Sequence, residues 1–304
     1  MMKDKPIIFA KGVCMGAADV VPGVSGGTMA LVLGIYQRLL TALRNFDVEF
    51  LSCLGRGQWR TATAHVDLAF LLPLAAGIGT ALWFFTRVVP IPKLLITQPE
   101  PIYGLFFGLI VASVIVLLRD LPELAVQDSG WLFLGLVGGL LLVTRVPMET
   151  PDSAWFIFCS GAIAICAMLL PGISGSFILL LLRKYAYIFD AIGHLKLAVL
   201  VPFALGAITG LLVFSRVLIW LLHRWHRQTL LTITGLLLGS LWMIWPFQER
   251  TFDSIRGKSR LVHSAPVWPE TMDGAVLAAL GCGLLGLILV LGIHRIAERQ
   301  RPHD

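Results

Sequence analysis

The hydrophobic pattern predicts a protein built from membrane helices. Long apolar stretches fill most of the chain, and charged residues lie mainly between them. A full membrane span needs about 20 apolar residues. The stretches that reach or approach this length are residues 68–90, 102–118, 131–146, 197–222, 229–247 and 274–294. Residues 131–146 form a short candidate span.

Two other apolar regions are interrupted by a Pro-Gly pair. Residues 21–28 read Val-Pro-Gly-Val-Ser-Gly-Gly-Thr, and residues 170–176 read Leu-Pro-Gly-Ile-Ser-Gly-Ser. Inside a membrane, non-helical backbone persists only where protein or a water-filled cavity covers it. The pieces on either side of each pair are too short to span. We therefore predict two re-entrant hairpins, residues 12–43 and 155–190, that enter and leave by the same face.

The repetition continues beyond these motifs. Residues 72–77 match 201–206, residues 85–88 match 214–217, and the pair Gly104 and Gly108 matches Gly235 and Gly239. Small residues four apart favour close packing of helices, so these glycines are interpreted as interface residues. Each half then holds one hairpin and about three spans.

We predict an all-α polytopic membrane protein made of two repeats, residues 1–150 and 151–304. An odd number of crossings in the first repeat turns the second one over, which gives inverted topology. If residues 131–146 do not cross, the repeats are parallel instead. The distribution of Lys and Arg favours cytoplasmic N- and C-termini. Residues 44–66 are predicted to form one or two interfacial helices on the cytoplasmic face, and residues 248–273 an external loop.

Composition supports an integral membrane protein and excludes several classes. The 304 residues are 57% hydrophobic, with a mean hydropathy of +0.83 and a net charge of +6 that suits contact with anionic membrane lipids. The five cysteines have no CxxC spacing, so no disulfide, metal site or cofactor is expected. Aromatic residues lie in the spans, which argues against nucleic-acid binding. The apolar N-terminal stretch is short and interrupted at Asp19, so no cleavable signal peptide is predicted.

The paired motifs carry the chemistry of an anion site. Proline ends the incoming half-helix, glycine permits a sharp reversal, and serine is a preferred N-cap for the outgoing half-helix. The N-terminus of each outgoing half-helix would point into the membrane, where its N–H groups favour phosphate. Two such ends would meet near the midplane around one anion; alternatively, the motifs are kinks whose serines bond to their own helices. The candidate substrate-binding residues of the motifs are Pro22, Gly23, Ser25, Gly26, Gly27, Thr28, Pro171, Gly172, Ser174, Gly175 and Ser176.

Five charged residues complete the candidate site. Asp19 is the acid of the first hairpin, and Met168 takes its place in the second. Such an acid pairs with an arginine, carries a coupling proton or caps the amides of its own loop. Arginine suits bidentate phosphate capture, whereas its alternative role is to reach lipid head groups. The arginines concerned are Arg38, Arg183, Arg87 and Arg216.

Three segments resemble the bacterial polyprenyl-phosphate translocase family: Asp19 to Thr28, Pro171 to Ser176, and Asn45 to Phe50. The resemblance covers nearly the whole chain. It implies transport of undecaprenyl phosphate, the lipid carrier of cell-wall glycans, from the outer to the cytoplasmic leaflet of the bacterial cytoplasmic membrane. The second motif departs from the first, with Phe177 in place of Thr28 and Met168 in place of Asp19, so the two anion-binding ends need not be equivalent.

Two other functions remain open at this stage. Helix-terminus sites also suit a channel or transporter for small inorganic anions. A lipid-pyrophosphate phosphatase uses similar hairpins, but it needs an acid, base or metal constellation that these residues do not supply. No Ser-His-Asp set, HExxH motif or Walker loop occurs, so the chain is not expected to be an enzyme.

Overall fold

The computed structural model describes residues 5–20, 25–89, 94, 97–119, 121, 125, 127–145, 150–255, 258–269 and 271–299. These residues form a largely helical protein. Its first half contains the helices α1 (Lys5–Asp19), α2 (Gly26–Val32), α3 (Tyr36–Arg44), α4 (Val48–Gly55), α5 (Trp59–His65), α6 (Leu68–Arg87), α7 (Pro99–Arg119) and α8 (Asp128–Val143). Its second half contains α9 (Ala154–Leu169), α10 (Gly175–Leu181), α11 (Tyr185–Gly193), α12 (Leu197–Arg224), α13 (His226–Ile244), strands β1 (Gln248–Ile255) and β2 (Lys258–Pro266), and α14 (Gly274–Arg299).

Four described helices are long and apolar enough to cross a membrane. They contain residues Leu68–Phe85, Pro99–Arg119, Leu197–Arg224 and Gly274–Gly292, which confirms four of the six predicted spans by length and composition. Helix α8 has 16 residues and belongs with the shorter apolar helices, as its short sequence predicted. Helix α13 has 19 residues, but its first turn is polar, which lowers its mean hydropathy.

The hairpin segments differ from the predicted boundaries. Helix α1 begins at Lys5, earlier than the predicted start of the hairpin. Each outgoing half is broken into two short helices, α2 and α3 in the first half and α10 and α11 in the second. The breaks contain Gly34 with a φ of 68° and Arg183 with a φ of 51°. A residue in left-handed conformation ends a helix, so the chain in each outgoing half changes direction after about two helical turns.

Corresponding helices pack in corresponding pairs. Helix α1 lies along α6, and α9 lies along α12. The close approach depends on glycine: a β-carbon at Gly77 would meet the backbone oxygen of Phe9, and one at Gly206 would meet that of Phe158. Gly77 and Gly206 end the matching segments 72–77 and 201–206. The sequence repeat therefore coincides with a repeated helix contact.

A second type of pairing joins the two halves. Helix α7 packs against α14, and α13 packs against α8. Gly104 and Gly108 face the backbone of Ala279 and Gly283 on α14, and Gly239 faces Gly139 on α8. Their prediction as interface glycines is confirmed. The main apolar core lies between these pairs and joins residues from both halves, including Leu40, Phe70, Ile110, Leu218 and Leu237.

Residues 44–66 form two helices, as predicted. Helices α4 and α5 expose large apolar side chains, including Val48 at 82% and Trp59 at 64% exposure. The Asn45 side chain donates a hydrogen bond of 2.7 Å to the backbone oxygen of His65, which ties the two ends of this segment together. Asp47 caps α4 by accepting from the Phe50 N–H at 3.0 Å.

Asp47 also lies in a cluster with Glu49 and His65, whose possible ligand atoms are within 4.8 Å of one another. One carboxylate oxygen of Asp47 accepts from Phe50 and lies 3.1 Å from His65 Nε2. The helix cap and the contact with His65 account for the positions of Asp47 and His65. The Phe50 N–H lowers the pKa of the Asp47 carboxyl, and His65 adds to the effect.

We predict that Asp47→Ala weakens α4 by about 1 kcal/mol at neutral pH, because the helix loses its N-cap. A lowered native pKa gives stability that is present above the unfolded pKa and is lost as pH falls through the native pKa. The difference between variant and wild type should therefore shrink below about pH 4. Hydrogen exchange of the α4 amides in the variant and the wild type, at two pH values, measures this difference in stability. Asp47→Asn keeps an acceptor and serves as the control; equal losses at both pH values would contradict the prediction.

The predicted external loop contains an antiparallel hairpin. Strands β1 and β2 pair from Gln248 with Pro266 to Ile255 with Lys258, and the register shifts between Thr251 and Phe252. Two residues, Arg256 and Gly257, separate the strands in the sequence. A short connection with glycine is typical of a hairpin. The prediction of an all-α protein is confirmed, and this two-stranded hairpin is an addition that the sequence analysis did not predict.

Candidate functional site

Hydrogen bonds to side chains join the two ends of the first loop, which is residues 19–28. Ser25 is the N-cap of α2, and its hydroxyl accepts from the Gly27 N–H at 3.1 Å. The Asp19 carboxylate accepts from the Gly26 N–H at 2.7 Å. Two amides at the start of α2 therefore have partners within their own loop. Pro22 and Gly23 lie outside the described residues.

The predicted capping role of Asp19 is therefore present in the structure. Of the ion pairs between described residues, none involves Asp19. Its carboxylate occupies the helix end where the sequence predicted a bound anion. A β-carbon at Gly26 would lie 2.7 Å from an Asp19 oxygen, so glycine is needed for the carboxylate to come this close.

The second loop, which is residues 168–177, lacks both of these internal caps. Met168 replaces the acid, and Ser174 has the N-cap position of α10 but makes no side-chain cap. Its hydroxyl instead lies 2.8 Å from the Ser176 hydroxyl. The prediction that serine caps both outgoing helices is right for Ser25 and wrong for Ser174. Two adjacent hydroxyls at an uncapped helix end can bind an anion.

Glycine at position 172 is required by the turn. Gly172 has a φ of 91°, which side chains strongly disfavour, and follows Pro171 where α9 has ended. A β-carbon there would lie 3.1 Å from the Leu236 carbonyl group on α13. A β-carbon at Gly175 would lie 2.6 Å from the Ala164 oxygen. At Gly172 and Gly175 the second loop therefore lies directly against the backbone of α13 and α9.

Hydrogen bonds join the two loops, which are far apart in the sequence. Ser25 and Met168, which form the first of these bonds, are 143 residues apart. The Ser25 hydroxyl donates to the Met168 oxygen at 2.9 Å, and the Gly172 N–H donates to the Thr28 hydroxyl at 2.9 Å. The Tyr36 hydroxyl donates to the Leu169 oxygen at 2.8 Å. Helix ends leave carbonyl groups without helical partners, and here the first loop and α3 supply partners for α9.

This junction is buried. Ser25, Thr28 and Ser174 are 1%, 2% and 8% exposed, and Ser176 is half-buried. A β-carbon at Gly27 would lie 2.8 Å from the Met168 oxygen, so the loops are in direct backbone contact. The structure therefore describes a closed arrangement in which Ser25 and Thr28 are inaccessible to solvent.

Two of the four predicted arginines, Arg38 and Arg216, contact groups outside the two loops. Arg38 Nε lies 2.7 Å from the Asp67 carboxylate, and its guanidinium lies 4.5 Å from the centre of the Phe70 ring. Arg216 donates to the backbone oxygens of Leu212 and Phe46 at 2.6 and 3.4 Å. Both groups contact partners outside the loops.

The other two arginines, Arg183 and Arg87, each lie where a helix ends. Arg183 ends the α10 segment in left-handed conformation. Arg87 is the last residue of α6, and its side chain lies outside the described part of the structure. A phosphate-binding role for the four arginines stays a prediction.

Tyr36 and Lys184 were missed by the sequence analysis. Tyr36 and Tyr185 occupy matching positions after Ser25 and Ser174, a signal that could have identified the tyrosine. Lys184 is 2% exposed, donates to the Thr150 oxygen at 2.9 Å and pairs with Asp152. It links the segment between α10 and α11 to residues 150–152, which precede α9.

Comparison with known proteins decides the family. Residues 15–261, which contain both loops, match the undecaprenyl phosphate translocase-like family. The chain belongs to this family. A polyprenyl-phosphate transporter of Vibrio cholerae is 38% identical over 299 residues, covering 96% of each chain. A polyprenyl-phosphate transporter of Staphylococcus aureus is 27% identical over 265 residues, covering 81% of this chain and 88% of the relative.

The family resemblance predicted from the motifs is confirmed, and the family contains membrane transporters by name rather than enzymes. No solved structure matches the chain. The five cysteines are free thiols.

Proposed function

We propose that this protein moves undecaprenyl phosphate from the outer to the cytoplasmic leaflet of the bacterial cytoplasmic membrane. The names of the two relatives support a polyprenyl-phosphate substrate. The observation that carries the proposal is the buried junction of two hydroxyl-bearing loops within an apolar helical protein. A lipid phosphate needs a donor-rich slot for its head group while its hydrocarbon chain stays in the bilayer.

The phosphate head group binds mainly to the second loop in this proposal. Asp19 and Ser25 already cap the start of α2, whereas Ser174 makes no cap on α10. The paired hydroxyls of Ser174 and Ser176 can turn toward an anion, and hydrogen bonds to a charged group are stronger than those between neutral groups. In this proposal the first loop has a structural role, and the second loop supplies the main groups that bind the phosphate.

Inverted repeats explain how one site can face both leaflets. We propose that residues 1–150 and 151–304 are inverted, that each starts with a re-entrant hairpin, and that both termini are cytoplasmic. The repeated pairings of α1 with α6 and α9 with α12 support this symmetry, as do the exchanged pairings α7 with α14 and α13 with α8. Rocking of one repeat against the other would break the bonds between the loops and expose the site to one face at a time.

The test is a comparison of three activities in sealed proteoliposomes. We expect transfer of labelled polyprenyl phosphate between leaflets, no protein-dependent flux of chloride or sulfate, and no phosphate release from polyprenyl pyrophosphate. Chloride or sulfate flux without lipid transfer would replace the proposal with a small-anion transporter. Release of phosphate would replace it with a phosphatase.

Asp19 can couple transport to protons. Its carboxylate lies at the loop that contacts Met168, so its negative charge opposes that of a bound phosphate. Protonation would remove this repulsion and favour loading of the substrate. The membrane potential acts on the charged head group in any case.

We predict that Asp19→Asn raises the affinity for polyprenyl phosphate roughly fivefold, about 1 kcal/mol, at neutral pH and flattens the pH dependence of transport. Asparagine still presents an oxygen to Gly26, so the loop keeps its cap. Asp19→Ala, which removes both charge and cap, separates the two roles. Binding and transport at pH 5 to 8 provide the measurement. An Asn variant with the wild-type pH profile would reduce Asp19 to a structural cap.

A further inference from the structure

An apolar cavity lies beside the second loop. Cavity A has a volume of about 360 Å³ and is bounded by α8, α12 and α13. Leu170, which directly precedes Pro171, lines it, and so does Leu236, whose backbone touches Gly172. The cavity therefore lies next to the loop that carries the proposed phosphate site.

The mouth of cavity A has the character of a membrane interface. Trp131 and Trp225 line it and are 45% and 44% exposed, and the polar side chains Gln228 and Thr229 lie at the same end of α13. Tryptophan is enriched where the hydrocarbon of a membrane meets its head groups. The deeper walls are leucine, isoleucine and phenylalanine. A ligand here would be hydrocarbon with one polar end.

A second apolar cavity lies at the opposite end of α13. Cavity B has a volume of about 420 Å³ and is lined by Leu140, Leu238 and Leu241 together with Trp242, Trp245 and Trp268. Both volumes fall in the range of small-molecule sites, about 300–1,000 Å³. From Gln228 to Trp245 the helix rises about 26 Å, close to the thickness of the hydrocarbon core. The two cavities thus lie along one helix that is long enough to connect the two leaflets.

The second loop lies between these cavities. Leu236, at the inner end of cavity A, and Leu237 pack against Gly172, while Leu238 begins the wall of cavity B. A movement of the second loop against α13 would change which cavity lies next to the phosphate site. The contact between this loop and α13 would then determine the positions of both the head group and the chain attached to it.

We propose that cavities A and B bind the phosphate-proximal isoprenoid units of the substrate, one in each leaflet, and that α13 guides the chain between them. The inference rests on the proposed function, because it takes polyprenyl phosphate as the ligand. It adds a recognition site for the hydrocarbon chain. Branched isoprene units fit cavities walled by leucine and tryptophan, and the remainder of the long chain stays in the bilayer.

Three leucines of α8 provide a matched test. Leu134 lines cavity A, Leu140 lines cavity B, and Leu141 lines neither. Leu134 and Leu141 have similar exposures of 56% and 51%. Tryptophan at position 134 or 140 would fill a cavity, whereas tryptophan at position 141 adds the same bulk elsewhere on the helix.

We expect Leu134→Trp and Leu140→Trp each to lower the rate of long-chain polyprenyl-phosphate transfer at least about tenfold, and Leu141→Trp to stay near the wild-type rate. Binding of butyl phosphate, which has the head group and a short chain, should be the same in all four proteins. Leu134→Met and Leu140→Met keep size and apolarity, and they control for the substitution itself. Thermal unfolding in detergent identifies any variant that fails to fold.

The outcomes separate this inference from the proposed function. Wild-type transfer rates in both Trp variants would overturn the chain-binding path and leave the transport function intact. A uniform loss in all three Trp variants would also overturn it, because the effect would not depend on the cavities. Absence of transfer by the wild-type protein would overturn the proposed function itself.

Discussion

Gly27→Ala is expected to lower transport at least tenfold and to destabilise the protein by about 1–3 kcal/mol. A β-carbon at this position would lie 2.8 Å from the Met168 oxygen and 3.2 Å from the Leu169 oxygen. Both are backbone atoms at the end of α9, so they move only if the two loops separate. Separation would also break the bonds from Ser25 to Met168 and from Gly172 to Thr28.

Gly79→Ala is the matched control. Gly79 lies inside α6, and a β-carbon there would meet no atom within 4 Å. Alanine is favoured over glycine in a helix by roughly 0.5–1 kcal/mol, so this variant should be as stable as the wild type or more so. The two substitutions should therefore have opposite signs in thermal unfolding. A Gly27→Ala protein with normal stability and transport would show that the loops need not touch.

The Ser174→Ala/Ser176→Ala double variant is expected to weaken polyprenyl-phosphate binding about 100-fold with little change in stability. Two hydrogen bonds to a charged phosphate are lost, each contributing about 1.5 kcal/mol. Stability is preserved because the two hydroxyls bond to each other and neither caps α10. Removing both partners of one hydrogen bond leaves no polar group without its partner.

Ser240→Ala serves as the control for losing a buried hydroxyl. Ser240 is 2% exposed and donates to the Leu237 oxygen of its own helix. Its loss should leave binding unchanged. Binding of polyprenyl phosphate to protein in nanodiscs measures both variants. Equal affinities in the wild type and the double Ser variant would exclude the second loop as the main ligand of the head group.

Local sequence was sufficient to predict the breaks in the apolar regions and their glycine contacts. Pro171 and Gly172 lie where α9 ends, and the left-handed φ of Gly172 is a property that glycine makes accessible. Gly104 and Gly108 face another helix as predicted. These features depend on steric properties of single residues or on spacing within one helix.

The asymmetry of the two loops was predicted only in outline. Met168 in place of Asp19 indicated a difference, but the cap from Asp19 to Gly26 depends on how the chain folds back. The bond from Ser25 to Met168 joins residues 143 apart, which no periodicity specifies. The break at Arg183 was also hidden, because arginine rarely adopts a positive φ, whereas Gly34 at the matching position does so readily.

The division between the loops has a consequence for transport. A substrate held equally by two capped helix ends would have to leave both at once. In the proposed arrangement the first loop is capped by Asp19 and Ser25, so release of the substrate would depend mainly on Ser174 and Ser176. Weak binding on one side of the junction favours turnover over retention of the lipid.

The most direct test of the account locates the head group on the protein. A polyprenyl phosphate with a photoreactive group in the isoprene unit next to the phosphate can be cross-linked in membranes and mapped by mass spectrometry. We expect labelling of residues 168–177 and of the adjoining part of α13, and we expect unmodified polyprenyl phosphate to displace it. Displaceable labelling confined to the segment around Arg38 and Asp67, away from both loops, would contradict it.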